Sequence, residues 1–414
     1  MGYRLGVPAL EFPMTTAAPT GDLDQRWPVK ITLLLTGTMT IMSGATISPA
    51  LPALHEHFRD TPGIEYLVRM LITVPSIAIA LCSPIAGWIV DTFGRKRLMI
   101  VGITAYGFAG TSGVFLDSMT GLLISRGLLG VSVACVMTCS TTLAGDYFTG
   151  RPRERFTGMR QGFIQFGGVV FVLLGGLVAT IDWRAPFLVY LLAFGILPMA
   201  IFFIIEPPKI PRPKPGQALA PGDRAPIALM ALLYSVEFVQ SAAFYMIPTQ
   251  LPFYLHELGV VNPTLAGIAL AVPSLVSALM SILVFATLRR RLSREAIFAL
   301  GFGSFAFGYV VLSQVSGLSN IMLSLVFVGA ALGVIWPNIS LWVIDRAPPR
   351  LRGRILGGLT MAVFLGHFSS PLISQTLANE IGLLHTFAVM GGAVAVMSLG
   401  FVAAATRRGF LRAY

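Results

Sequence analysis

Glu237 lies about 12 residues into an apolar stretch that opens near position 226, roughly 18 Å along a helix and close to the centre of a bilayer. No other carboxylate in the sequence sits at that depth. Tyr234, Ser241, Phe244 and Tyr245 recur on its face at helical spacing. An acid among rings and a hydroxyl suits proton exchange near neutral pH, or a grip on a cationic, amphipathic solute. The same acid in neutral form can also hydrogen-bond across a helix interface. Arg126 lies about two turns, some 10 Å, inside another apolar stretch. An arginine there faces a partner or a wet cavity, or is satisfied by backbone carbonyls. His367 is near mid-depth in a later stretch and can relay a proton or bond a neighbouring helix. Gln161 and Gln165, one turn apart, and Asn338, beside Trp336 and Pro337, are further polar groups able to contact solute or to glue helices. In the first stretch Thr36, Met39, Thr40, Ser43 and Ile47 share a face that lines a cavity or packs through small hydroxyls.

The elements that must hold these groups are membrane spans. Apolar runs of roughly 20 residues recur along the 414-residue chain, which is 55% hydrophobic and 11% charged. The first runs from about Lys30 to Leu54, ended by Pro49 and Pro52. Residues 1–29 read as a tail without a secretory signal. The net charge of +11 would suit nucleic acid, but its placement argues against that. All but four of the 29 lysines and arginines fall on one side, the exceptions being Arg59, Arg69, Arg184 and Arg126. That asymmetry predicts an even number of spans, both termini in the cytoplasm, and a basic side facing an anionic leaflet. The three cysteines and five histidines form no metal or disulfide pattern, and no cofactor is implied.

Two spans meet at Gly87–Arg97, GWIVDTFGRKR, a tight turn with three successive cations. Gly87 permits close helix approach, Gly94 supplies turn geometry, and Asp91 stands four residues before Arg95, which Lys96 follows. The pattern Gly87, Asp91, Gly94, Arg95, Lys96 resembles the loop after the second helix in the major facilitator superfamily of secondary transporters, with Thr92 where a cation is usual. Leu122-x3-Arg126-x3-Gly130 resembles the fourth-helix arginine motif of its proton-coupled exporters. Gly158, Gly167, Gly175 and Gly176 keep the frame of the antiporter motif, with Phe171 and Val172 in place of Gly-Pro. A repeat agrees with this reading: Asp146, Arg151, Arg153, Arg155 and Gly158 recur 199 positions later as Asp345, Arg350, Arg352, Arg354 and Gly357.

The resemblance, closest to bacterial drug:proton antiporters, implies an all-α membrane protein. Twelve transmembrane helices form two pseudo-symmetric six-helix bundles at 30–206 and 226–406, with a cytoplasmic linker at 207–225 and tails at 1–29 and 407–414. The expected activity is transport, not enzymology: alternating-access export of a small amphipathic organic solute across the inner membrane by a monomer. Proton-independent facilitation or uptake is the alternative, and a polytopic membrane enzyme or solute sensor is a further one. Glu237, Arg126 and His367 would form the proton and solute site, and Asp91 with Arg95 would latch the halves on the cytoplasmic side.

Overall fold

The computed structural model describes residues 26–148, 150–207, 226–314, 317–348 and 351–408. The side chain of Asp91 and the 208–225 linker lie outside this description. The chain is helical: α1 (Trp27–His57), α2 (Ile64–Phe93), α3 (Arg95–Thr111), α4 (Met119–Tyr147), α5 (Gly150–Val178), α6 (Ala185–Phe203), α7 (Ile227–Glu257), α8 (Pro263–Arg291), α9 (Arg294–Ser313), α10 (Leu318–Arg346), α11 (Arg352–Ile381) and α12 (Leu383–Arg408). Eleven of these are long and apolar enough to cross a membrane. The twelfth, α3, has 17 residues, opens on three cations, and is extended by a 3-10 turn over Ser112–Val114. Side chains such as Trp88, Phe115 and Ile282 stand on the outer surface with no protein cover, as hydrocarbon contact requires.

One boundary differs from expectation. Pro49 and Pro52 do not end the first span. Each falls in the first turn of a new helical segment, where its missing N–H costs nothing, and the helix continues to His57. The Trp336-Pro337-Asn338 triplet leaves α10 unbroken over Leu318–Arg346. A π turn at Met280–Val284 interrupts α8 instead. Elsewhere the ends follow local chemistry. Ser118, Asn262 and Ser293 cap the starts of α4, α8 and α9 through their side-chain oxygens. Gly63, Gly94 and Gly382 have φ of 73°, 97° and 79° between successive spans.

The helices bury two cores, one drawn from α1–α6 with Phe364 of α11 and one from α7–α12 with Val172 of α5. The halves repeat each other in detail. A Cβ on Gly130 of α4 would meet the Pro75 carbonyl at 2.5 Å, and one on Gly329 of α10 would meet the Pro273 carbonyl at 2.7 Å. Gly102 lies against Val136 as Gly301 lies against Ile335. Arg95 pairs with Asp146 at 3.3 Å, and Arg294 pairs with Asp345. Both members of each of these ion pairs are related by the 199-residue shift that the sequence displays.

The halves meet along α2 with α11 and α5 with α8. Their hydrogen bonds gather at the end away from the lysines and arginines. There Arg69 donates to Gln250 at 2.8 Å, Tyr66 bonds Thr376 at 3.3 Å, Ser48 donates to the Pro248 carbonyl, and Thr264 donates to the Gly176 carbonyl at 3.4 Å. A Cβ on Gly176 would meet the Gly267 Cα at 3.1 Å, so backbone rests on backbone. At the basic end, Gly158 and Gly162 of α5 and Gly353 and Gly357 of α11 have open space where a Cβ would stand.

Enlarging either matched glycine, Gly130→Ala or Gly329→Ala, should cost about 1–3 kcal/mol through overpacking. Gly127→Ala, where a Cβ meets only Val74 at 3.8 Å, should be neutral. Thermal unfolding of the purified protein checks this, and equal midpoints for all three variants would contradict it.

Candidate functional site

α7 and α11 run side by side from the basic end, and α7 carries the candidate residues in layers. Tyr234 donates to the Ile355 carbonyl at 2.7 Å and lies against Gly358, which fastens the first layer. About one turn further Glu237, and two turns further Ser241, face the interior, both buried. Ser241 donates to Glu237 Oε1 at 3.3 Å, and Glu237 Oε2 has no hydrogen-bond partner. The Trp336 indole of α10 reaches the same carboxyl. Gly366 of α11 lets the helices close here, since a Cβ would meet the Phe238 carbonyl at 2.5 Å and the Ser241 Cβ at 2.8 Å.

The next layer joins the halves. Tyr245 stacks on His367 with centroids 4.0 Å apart and rings 20° from parallel, and Phe364 meets the histidine edge-on at 5.7 Å. The Tyr245 hydroxyl crosses to the first half, over Gly44 of α1, and donates to the Ile72 carbonyl of α2 at 3.3 Å. His367 makes no direct hydrogen bond or ion pair with Glu237; it touches the ring that bridges the halves instead. A seal closes the column. Arg69, 6% exposed, donates to Gln250 at 2.8 Å and to the Glu65 carbonyl at 2.7 Å, and its guanidinium lies 3.9 Å from the Phe253 centroid. Gln250 in turn donates to Ser374 at 2.9 Å and Gln375 at 3.2 Å. Arg69 looks from the sequence like an ordinary outer-side cation. Its proximity to Gln250, 181 residues away, emerges only on folding.

Other expected site residues sit elsewhere. Arg126 is fully buried within the first half. It donates to the Gly110 carbonyl at 2.9 Å and packs 4.9 Å from the Phe187 and Tyr190 centroids. One terminal nitrogen is thus bonded to a backbone carbonyl while Nε and Nη1 are buried without a hydrogen-bond partner, and the side chain joins α3, α4 and α6. Met39 and Ser43 are buried beside it, their carbonyls accepting from Tyr106 at 2.9 Å and Tyr190 at 3.1 Å. Asn338 donates to the Arg294 carbonyl at 3.0 Å and so ties α10 to the start of α9. Gln165 reaches Ser277 across the halves at 3.5 Å, and Gln161 is half-buried one turn before it.

At the basic end, Gly94 turns the chain so that the Arg95 and Lys96 amides donate to Glu206, at 2.8 and 2.7 Å. A carboxylate thus sits on the positive start of α3. A Cβ on Gly94 would meet Glu206 Oε1 at 3.0 Å, and Gly87 has open space around it. Glu206 is a partner that motif reading misses; its one sequence signal is an acid at the last position of the sixth span. The Arg95 and Lys96 contacts all stay within the first half in this conformation.

Twelve helices in two related halves, with polar residues held between them, find a match among known proteins. The family model described as Major Facilitator Superfamily matches residues 33–260 and 233–409. The chain belongs to the major facilitator superfamily. It is a multi-pass membrane transporter and not an enzyme, and its curated relatives include proteins named for multidrug transport and for puromycin and tetracycline resistance. The class C tetracycline resistance protein of Escherichia coli is 23% identical over 360 residues, 83% of this chain and 88% of that one. The puromycin resistance protein pur8 of Streptomyces alboniger is 29% identical over 175 residues, 42% of this chain and 34% of the relative. The multidrug transporter protein MdtP of Bacillus subtilis is 29% identical over 181 residues, 42% of this chain and 32% of the relative. The transporter thus aligns with about a third of the length of these last two. Among solved structures, the inward-open xylose transporter XylE from E. coli superposes with a TM-score of 0.69 at 16% identity, covering 90% of this chain and 95% of that one. The nucleoside transporter NupG gives 0.73 at 12% identity, covering 90% and 99%. These two likenesses establish the fold.

Gln250→Leu removes the acceptor that Arg69 uses between the halves and should loosen the seal, because a buried guanidinium is left short of partners. A cysteine at Thr376 should then react several-fold faster with a membrane-impermeant maleimide in intact cells; unchanged labelling would show that the seal does not depend on Gln250. Glu206→Gln should cost about 1 kcal/mol of stability by weakening the cap on α3, read as a lower unfolding midpoint that Glu206→Asp partly restores.

Proposed function

We propose that this transporter exports a small, amphipathic organic solute across the cytoplasmic membrane in exchange for protons. The observation that carries the reading is Glu237. It is a fully buried carboxyl group inside a span, with Ser241 and the Trp336 indole beside it and no cation paired with it among the described residues. A carboxylate so placed is costly unless it binds a proton or a cation. Relatives named for resistance to puromycin and tetracycline favour export of a drug-like solute.

In the proposed cycle Glu237 takes a proton or a cationic group of the solute. The Tyr245–His367 stack transmits its state to the contact between the halves, since the tyrosine touches both. The basic end faces the cytoplasm, with both termini there, following the rule that cationic loops stay inside. The described conformation, sealed at Arg69 and Gln250 and open at Gly158 and Gly357, is then inward-facing. Arg126 keeps the first half rigid while it moves, and Arg95 exchanges partners when the basic ends approach. The exporter works as a monomer, with its solute between the two six-helix halves.

The test is flux in proteoliposomes under an imposed pH gradient, with ethidium as the probe solute. Glu237→Gln should abolish acceleration by the gradient while downhill flux persists. Full coupling in the variant would remove Glu237 from the mechanism. Wild-type flux indifferent to the gradient would favour a facilitator, a reading that Phe171 and Val172, in place of the antiporter Gly-Pro, also suit.

A further inference from the structure

Among the described residues, most cations inside the helical bundle have an acceptor, an acid or an aromatic face beside them. Arg69 has Gln250 and Phe253, Arg126 has Gly110 and two rings, Arg95 has Asp146, and Arg294 has Asp345. Arg160 has nothing. It lies on α5, five residues inside the apolar span that begins at Arg155. Among the described residues no hydrogen bond, ion pair or aromatic face meets it. Its Nε is shut off from water and unpartnered, while its terminal nitrogens stay accessible. The side chain turns towards α1, where a Cβ on Gly37 would stand 3.4 Å from Nε. It does not turn to lipid: at about 100° per residue, Arg160 is roughly 120° around the helix from the lipid-exposed Phe166.

Beside it are two more donors with little to do. Gln161 has no hydrogen-bond partner among the described residues, and Gln165 has only its 3.5 Å contact to Ser277. Three side chains close in sequence on α5 therefore carry N–H groups of which only one, on Gln165, has an internal acceptor, and that a distant one. A planar guanidinium backed by amides suits a group with two or three anionic oxygens.

We infer that Arg160, with Gln161 and Gln165, forms an oxyanion site for a carboxylate, phosphate or sulfonate group of a soluble organic molecule. The inference builds on the transport reading above and gives the solute an anionic group held by the first half, opposite Glu237 in the second.

The test uses the full-length protein in a neutral detergent at low salt, with benzoate and its uncharged analogue benzamide as probes, read by thermal unfolding. Benzoate should raise the wild-type midpoint in a saturable manner and benzamide should not. Arg160→Gln should weaken the benzoate response about tenfold or more, Gln161→Ala less, and Arg160→Lys should restore part of it. Without probe, Arg160→Gln should unfold at or above the wild-type midpoint, because an unpaired buried cation has been removed; a residue of merely structural value would lower it. Equal benzoate responses in wild type and Arg160→Gln would overturn the inference. So would wild-type indifference to benzoate, phenyl phosphate and benzenesulfonate alike, or Arg160-dependent protection by phosphatidylglycerol only, which would make the occupant a lipid. If Arg160→Gln does not fold, Arg160→Lys decides by the change in its benzoate affinity. No proton gradient enters these measurements, so their failure leaves the role of Glu237 standing, and failure of the Glu237→Gln flux experiment leaves the oxyanion site standing.

Discussion

Hydrocarbon offers no hydrogen bonds, and that constraint organises this molecule. Each polar group within the spans must find a partner inside the protein or face a wet space between the halves. Most find partners, and those partners decide how the helices pack. Arg126 draws α3 and α6 onto α4. Asn338 fastens α10 to α9, and Ser324 donates to the Gly308 carbonyl to do the same one layer away. Some groups are left over, inside the halves, as Arg126 Nε is, and towards the contact between them. Glu237 Oε2 and Arg160 Nε are two of them.

The contact between the halves is itself graded in polarity. At the sealed end it combines a buried guanidinium, two glutamines and several hydroxyls, all mutually bonded. At mid-depth it narrows to a tyrosine over a glycine. Polar seals of this kind are exchangeable, because water can replace each hydrogen bond when the halves part, whereas an apolar seal of equal area would have to expose its surface. Within each half the cores are aliphatic and aromatic and closely packed, which suits bodies that move as units.

How much of this the sequence discloses depends on the range of the interaction. The spans, their sidedness and the duplication are local or periodic, and they can be read directly. The 199-residue shift even marks the acids that later pair with Arg95 and Arg294. Glu237 is legible because depth in an apolar stretch is a local property. Partners distant in sequence are not: Glu206 meets Arg95 across 111 residues and Gln250 meets Arg69 across 181. Arg126 shows the limit most clearly. Its depth is evident from its neighbours, but whether it opens on a cavity or on the Gly110 carbonyl depends on which side of α4 receives α3. Arg160 is concealed by company, since it follows a run of arginines that reads as one cytoplasmic cluster.

The bare backbone meeting of Gly176 and Gly267 has a mechanical side. Two helices touching without intervening side chains can roll over one another with no rotamer to change and no cavity to open, so the spot acts as a fulcrum. From there to the basic end, α5 extends for more than 20 residues, a lever arm of roughly 30 Å. A tilt of about 10° at the pivot would swing the far end by roughly 5 Å, about the width of a small aromatic solute. A large side chain at either glycine would turn this bearing into a ratchet.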